Sequence, residues 1–316
     1  MKFSDYITGS IEYIIKYLRS VKPPKIGNDE IVADLHAHHT INSTIDLYKL
    51  FDSMIKHNVD LIAITRHITA PYKNYRKNED FWYIKDLIKK ENSSMELGYK
   101  DLGIAFRIIY KNKLLTFVGS YEVEIILDKH PHFRHHMLTL MPDKGFEDHV
   151  KYGMDFKDYI ELSRRYNAII IAAHPYTVHD HSATNRFLRF MIPPEEYRKQ
   201  INDAIFTVVD SVDCTAANIG WLIRSNELVK NNFRGKPLST SDTHSDDFIG
   251  CSGTIFKLVS YSDGNGLRSE LRKSITSNDF TTYDGTICPF YIWRKVILHL
   301  PKEAPIRHSA YKFDNK

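Results

Sequence analysis

Cysteine is scarce in this 316-residue chain: Cys214, Cys251 and Cys288 are the only three, far apart and with no C-x-x-C among them. So odd and scattered a set supports neither a disulfide framework nor a cysteine-based zinc finger, and it fits a reducing, cytoplasmic compartment. No apolar run approaches the ~18 residues that a membrane-spanning helix needs. Asp5, Glu12 and Lys16 break up the apolar positions near the start, so no secretory h-region is expected. A G-x-S-x-G elbow and a Walker loop are both missing, which argues against serine-hydrolase and P-loop chemistry. There is no internal repeat and no low-complexity tract. The formal charge is only +4. That is far from a histone-like binder but agrees with an anionic substrate.

Against these absences, a 42% hydrophobic and 26% charged composition describes a globular chain with a core of ordinary size. Ile7, Ile11, Ile14, Ile15 and Leu18 recur at helical spacing until Pro23 and Pro24 stop them. This predicts an amphipathic N-terminal helix over 1–29, either packed on the main domain or, since its flank is basic, set against a membrane surface or partner. From Ile31 a rhythm begins in which short apolar runs end in polar or ionisable residues and helix-like segments follow. The runs are Ile31–Leu35, Leu61–Thr65, Leu114–Val118, Met137–Met141, Ala168–Ala173 and Ser211–Cys214, with a weaker one at Leu238–Ser241. Leu47–His57 has helical period. Strands alternating with helices predict βα units and a parallel sheet or barrel over 30–285. Phe290–Leu300 reads as a docked element of a C-terminal extension, 286–316.

Residues 73–113 form a long basic insertion, with ten Lys and Arg against six Asp and Glu. Phe81, Trp82, Ile84, Leu87 and Ile88 predict that part of it is helical. It reads as a solvated insertion with one apolar face, or as a lid that attracts phosphate. Tyr72, Tyr75, Phe81, Trp82 and Tyr83 among its basic residues would suit nucleotide stacking, and equally suit packing.

Histidine is the one excess, with sixteen residues. Asp34-Leu35-His36-Ala37-His38 closes the first run, and alternate residues of a strand point the same way, so His36 and His38 can converge on one ion. Imidazole suits Zn, Mn or Fe. A second H-x-H, His179-Asp180-His181, lies in a polar, loop-like stretch and reads as facing solvent or substrate. The first has company. His67, Glu122 and His174 each lie just beyond an apolar run, Asp242 and His244 follow the last one, and His136 opens Met137–Met141 in a different register. In a barrel, carboxyl-terminal strand ends surround one mouth. Imidazoles and carboxylates gathered there are costly to desolvate unless cations answer them. His130, His132 and His135 read as polar loop residues.

These residues, in this order, resemble the polymerase-and-histidinol-phosphatase (PHP) superfamily of metal-dependent phosphoesterases, over about 31–285. The opening D-L-H-x-H matches Asp34–His38. The family's T-D-H corresponds to Thr65-Arg66-His67, its G-x-E to Gly119–Glu122 with one extra residue, and its H-h-L to His136–Leu138. Its A-H-P matches Ala173–Pro175, and its S-D-x-H with a following glycine matches Ser241–His244 and Gly250. The resemblance implies a distorted, seven-stranded TIM-like (β/α) barrel with two or three divalent ions at its mouth. It implies that His36, His38, Glu122 and Asp242 hold a first ion, that Glu122 bridges to a second held also by His136 and His174, and that His67 and His244 help hold a third. Hydrolysis of a phosphate mono- or diester by metal-activated hydroxide would follow, with a nucleotide, oligonucleotide or small phosphorylated metabolite as substrate.

Three departures bear on the site. No acid follows His38 until Asp46, so the third ion would be weak, absent, or completed by His39 or Asp46. Arg66 replaces the family's Asp and reads either as a substrate-phosphate contact or as a salt-bridged arginine. Glu124 rivals Glu122 as the bridging acid. Arg186, Arg189 and Arg224 are further phosphate-contact candidates. An amidohydrolase-like C–N hydrolase and a catalytically degenerate metal-binding module are the competing readings.

Overall fold

The computed structural model describes residue 27 and residues 29–68, 79–95, 97–127, 133–180, 190–191, 193, 195–213, 222–243, 249–258 and 261–283. The expected N-terminal helix and C-terminal extension lie outside the described residues. The strands are β1 (Glu30–Ala37), β2 (Leu61–Ile68), β3 (Lys100–Asp101), β4 (Ala105–Tyr110), β5 (Lys113–Ile126), β6 (Phe133–Leu140), β7 (Met154–Asp155), β8 (Ile169–Ala173), β9 (Val178–Asp180), β10 (Phe190–Met191), β11 (Ser211–Asp213), β12 (Gly253–Lys257) and β13 (Phe280–Tyr283). The helices are α1 (Thr44–Lys56), α2 (Phe81–Met95), α3 (Phe156–Arg165), α4 (Glu195–Ala204), α5 (Leu222–Asn232) and α6 (Gly264–Thr276).

Helix α1 shows how local sequence sets an element. Ser43 caps it, taking the Asp46 N–H, and the Asp46 carboxylate reaches back to the Asn42 N–H at 3.0 Å and the Ser43 hydroxyl at 3.1 Å. This reciprocal arrangement satisfies the Asp46 N–H in the first turn and the Asn42 N–H just ahead of it. Leu47, Leu50, Phe51 and Met54 then form one buried stripe.

All thirteen strands belong to one curled sheet. β1, β2 and β5 run parallel. β6 returns antiparallel to β5 as a hairpin partner and pairs antiparallel with β8 on its other side. β8 is parallel to β11. Two isolated parallel bridges, Asp213 to Leu238 and Ala37 to Thr243, tie the segment 238–243 to β11 on one side and β1 on the other. The expected run Leu238–Ser241 therefore joins the sheet by single bridges and not as a full strand.

The strands of this curl are buried on both faces, as in a parallel sheet covered on both sides. Side chains alternate between the inside of the curl and its outer, helix-covered face. Ala33, Leu35, Leu61, Ala63, Val118, Leu138, Ile169, Ile171 and Leu238 form one apolar cluster, together with α6. Continuing in the same parity toward the strand ends come Thr65, His67, Ser120, Glu122, Glu124, His136 and Asp213. One wall of the fold is thus apolar at one end and ionisable at the other. In β1 the four residues Asp34 to Ala37 span the space of three in β2, Ile62 to Ile64. This bulge turns His36 and His38 to the same side as Thr65 and leaves Asp34 to another task.

The stretch 73–113 differs from its expected form. Its helix is present as α2, with Phe81, Ile84 and Ile88 buried. It also holds β4, joined to β5 through Lys111 and Asn112, both at positive φ (48° and 61°) as a two-residue hairpin turn requires. Phe81 stacks on Phe106, and Phe106 on Phe117, with centroids 5.6 and 4.7 Å apart. A Cβ on Gly119 would lie 3.0 Å from the Phe81 ring, so the missing side chain lets α2 approach the sheet. The described part is thus two sheet strands, β3 and β4, and a packed helix; 69–78 lie outside the described residues.

Candidate metal centre

Strand direction decides which residues meet. β1, β2 and β5 deliver His36, His38, His67 and Glu122 toward their carboxyl ends. His174 follows the end of β8. Because β6 runs the other way, its beginning lies at the same rim, which explains the different register of His136. Across the ladder His67 stands opposite Glu122, Glu124 opposite His136, and His136 opposite Ala173. Asp242 enters from the closing segment.

Glu122, only 2% exposed, is the centre of the cluster. One of its oxygens lies 2.7 Å from His136 Nδ1, 3.4 Å from His174 Nε2 and 3.6 Å from His36 Nε2. The other lies 2.7 Å from His67 Nδ1 and 3.4 Å from His38 Nε2. Asp242 Oδ1 is 3.3 Å from His36 Nε2 and 3.4 Å from His38 Nε2. Two groups of donors share Glu122: one with His36 and His38, the other with His136 and His174.

The donor set fits divalent cations. Ligand atoms about 2.1 Å from a tetrahedral ion stand about 3.4 Å apart, and the first group's contacts fall on either side of that spacing. The tautomers agree. His36 Nδ1 faces the Asp213 carboxylate at 3.2 Å and His38 Nδ1 faces the Thr65 carbonyl at 3.0 Å. Both partners only accept, so each Nδ1 carries the hydrogen when the ring is neutral. Each Nε2 then presents a lone pair, and the two Nε2 atoms are 3.0 Å apart. Facing lone pairs at that distance repel unless a cation, either a metal or a proton, lies between them.

The electrostatics of the cluster show the same demand. Burial alone would lower the pKa of His36, but the charges of Asp242 and Glu122 hold it well above the ordinary imidazole value. His136 is likewise disfavoured by burial and lifted by Glu122, to about 10. Burial would raise Glu122, but His136, His67 and His36 hold it well below the usual carboxylate range. Protonated imidazoles thus answer the buried carboxylates, and a cation entering the cluster would have to displace their protons.

Backbone strain coincides with two of the candidate ligands. His174 (φ 32°) and Asp242 (φ 45°) both lie in the left-handed region that non-glycine residues avoid. Asp34 helps hold the second of these turns. It is fully buried, and its carboxylate accepts the Ser241 N–H at 3.0 Å and the Gly250 N–H at 2.9 Å. Gly250 has φ 64°, and a Cβ there would lie 2.3 Å from Val59. The aspartate and the glycine of the terminal motifs thus clasp each other.

Of the residues singled out from sequence, His36, His38, His67, Glu122, His136, His174 and Asp242 come together, while His244 lies outside the described residues. Glu122 makes the cluster's contacts; Glu124 touches it through His136 Nε2 at 3.4 Å. Asp46 is engaged at the start of α1, and His39 is buried. Arg66, one residue from His67, takes the outer face opposite Tyr121, where its guanidinium binds Asp80 at 2.8 Å. Asp80 also receives the Trp82 N–H at 2.9 Å at the start of α2. Phe81 is in the core, and Trp82 lies near the ammonium groups of Lys85 and Lys144. His179 and Asp180 belong to β9 and not to a loop, whereas His181, Arg186, Arg189, His130, His132, Tyr72 and Tyr75 lie outside the described residues, as does the side chain of Arg224. His135 is not a loop residue. It is buried in β6, bound through Nε2 to the Tyr197 hydroxyl at 2.7 Å, and burial lowers its pKa to about 3.

Sequence reasoning missed Asp213. It ends β11 inside the curl, fully buried, and joins His36 to the Thr240 hydroxyl. The signal was present, since Asp213 stands at the end of the short run Ser211–Cys214 as the other acids and imidazoles stand at the ends of theirs.

No protein-family profile and no curated protein matches the chain. Solved structures do. PsfC from Pseudomonas syringae aligns with a TM-score of 0.53 at 13% identity, covering 86% of this chain and 98% of its own. A lesion-specific endonuclease from Pyrococcus furiosus, PfuEndoQ, aligns at 0.49 and 16%, over 82% of this chain and 60% of that one. A protein provisionally assigned as a metal-dependent phosphoesterase, from Bifidobacterium adolescentis, aligns at 0.40 and 12%, over 79% and 96%. At these identities the likeness is one of fold, and it is carried by PsfC.

Proposed function

We propose that this chain is a PHP-type metal-dependent hydrolase of phosphate esters. In this reading β1, β2, β5, β6, β8, β11 and the segment 238–243 are the seven members of a distorted barrel, closed by the bridges at Leu238 and Thr243. The observation that carries the reading is the cluster around Glu122: one buried carboxylate within 3.6 Å of five imidazoles, with two Nε2 lone pairs turned on each other.

His36, His38, Glu122 and Asp242 would hold one ion, and Glu122, His136 and His174 a second. His67, with His244, is the candidate for a third. Zinc, manganese and iron all suit these ligands. Such ions, when bound, supply Lewis acidity toward phosphoryl oxygens and an activated water. The chain's own part is geometric. Glu122 keeps the two ligand groups within a carboxylate's width of each other. Asp242 (15% exposed side chain) and His67 (28%) are the most exposed ligands described, and they mark the side from which an ester would enter. Arg66 is held by Asp80 on the outer face, so a phosphate contact from it would require that pair to open.

The test is to strip the protein with chelator, reload it with Mn or Zn, count bound metal, and screen phosphomonoesters, phosphodiesters and nucleotides beside amides and nucleobases. Metal-dependent phosphate or nucleotide release is expected, lost in His36→Ala/His38→Ala. Unchanged turnover in a variant that binds no metal would sink the proposal. Turnover of amides or nucleobases alone would favour the amidohydrolase-like reading.

A further inference from the structure

We infer that Asp213 is a positioning residue that selects the ligand atom of His36, a proposal that rests on the metal-centre reading above. His36 and Asp213 are both fully buried, with His36 Nδ1 3.2 Å from Asp213 Oδ2. The carboxylate accepts and cannot donate, so it fixes the hydrogen on Nδ1 and turns the Nε2 lone pair toward Glu122 and Asp242. The same Oδ2 receives the Thr240 hydroxyl at 2.6 Å, which pins the carboxylate in turn. Asp213 ends β11, while Thr240 lies in the closing segment. The orientation of the imidazole therefore depends on a contact made across the closure of the sheet.

His38 provides the contrast. Its Nδ1 faces a neutral acceptor, the Thr65 main-chain carbonyl at 3.0 Å. The two rings of one H-x-H pair are thus backed unequally, and His36, with a carboxyl group behind it, is the stronger electron donor. Asp213 also has a second connection. Its main-chain carbonyl accepts the His174 N–H at 2.8 Å. The side chain braces a ligand of the first group and the backbone a ligand of the second, so a side-chain substitution separates the two.

The experiment uses the full chain as wild type, Asp213→Asn, Asp213→Ala and Thr240→Val. Zinc affinity is measured by competition with a chromogenic chelator, bound zinc is counted, and imidazole nitrogens of the zinc-loaded protein are observed by 15N NMR. Loss of a partner behind a metal-bound imidazole weakens binding about 10- to 100-fold. That loss is expected in Asp213→Asn and Asp213→Ala for one ion, with the other bound as in wild type. Thr240→Val should lose less, in the same direction. The His36 signal should show Nε2 bound and Nδ1 protonated in wild type, and lose that single pattern in Asp213→Ala. Asp213→Asn keeps the side-chain shape, so it reports on charge even if the alanine variant folds poorly. Folded Asp213→Asn with wild-type affinity for both ions and an unchanged His36 signal would overturn the proposal. So would a lower metal-free melting temperature with unaltered affinity, the mark of a purely structural role. Failure of the wild type itself to bind zinc would instead overturn the metal-centre reading, and it is seen before any substitution is made.

Discussion

Metal loading of this cluster should release protons, and its affinity should climb steeply with pH. In the metal-free protein His36 is held well above the imidazole range and His136 at about 10, in both cases because nearby carboxylate charge outweighs burial. At pH 7 both rings therefore keep a proton that an ion must displace. Each displaced proton makes the apparent affinity rise about tenfold per pH unit, about 1.4 kcal/mol. One ion at the His36 group gives a slope near one. Two ions, at the His36 and His136 groups, give a combined slope near two. The stability of the metal-free protein follows the opposite sign. A raised histidine pKa contributes stability that is complete below the unfolded value near 6.5 and fades as pH rises toward the folded value. The metal-free melting temperature should therefore fall between pH 7 and pH 9.5, while the zinc-loaded protein gains over the metal-free one. Zinc titrations from pH 6.5 to 8 and calorimetry in two buffers of different ionisation enthalpy measure the slope and the protons directly. A flat affinity profile with no proton release would refute the reasoning, because it would mean that the buried carboxylates are not answered by protonated imidazoles when metal is absent.

Two further outcomes follow from packing. Gly119→Val forces a branched side chain against the Phe81 ring, where even a Cβ is at 3.0 Å, and overpacking of this kind should cost about 1–3 kcal/mol in a urea melt with metal binding retained by the folded fraction. Arg66→Ala and Asp80→Ala each break an ion pair that is largely shielded from water, and a double-mutant cycle should give a coupling of about 0.5–3 kcal/mol; simple additivity would show that the two side chains act independently.

The run-and-rhythm reading recovered β1, β2 and β8 because each is an apolar stretch bounded by polar residues, β11 (Ser-Val-Asp) by its place in the rhythm, and α1 because its stripe and cap are both local. It underestimated β5, where Ser120, Glu122 and Glu124 interrupt the apolar pattern. Those polar residues are strand positions whose inward parity brings them to the mouth, so the chemistry itself hid the strand. It gave no strand to β4, since the deciding feature is a turn at Lys111-Asn112 and pairing with β5. For the site, the ends of apolar runs located the residues that gather around Glu122, and the outlying register of His136 has its cause in the reversed direction of β6. Arg66 could not be resolved from sequence between a phosphate contact and an ion pair, because its partner Asp80 is fourteen residues away along the chain. Asp213 was open to the same reading by its position, but what it does is visible only once β11 lies beside the residues that precede Asp242.

The clasp between Asp34 and the Ser241–Gly250 turn joins chain positions more than two hundred residues apart. His36 and His38 precede Asp242 in the chain by a comparable distance, so a growing chain carries them well before this second acidic neighbour is made. The hairpin that brings Glu122 to His136, by contrast, is complete within one short stretch. An ion seated beside Asp242 would therefore favour the form in which the segment 238–243 is docked over any form with it detached, the more so the further its concentration exceeds its dissociation constant.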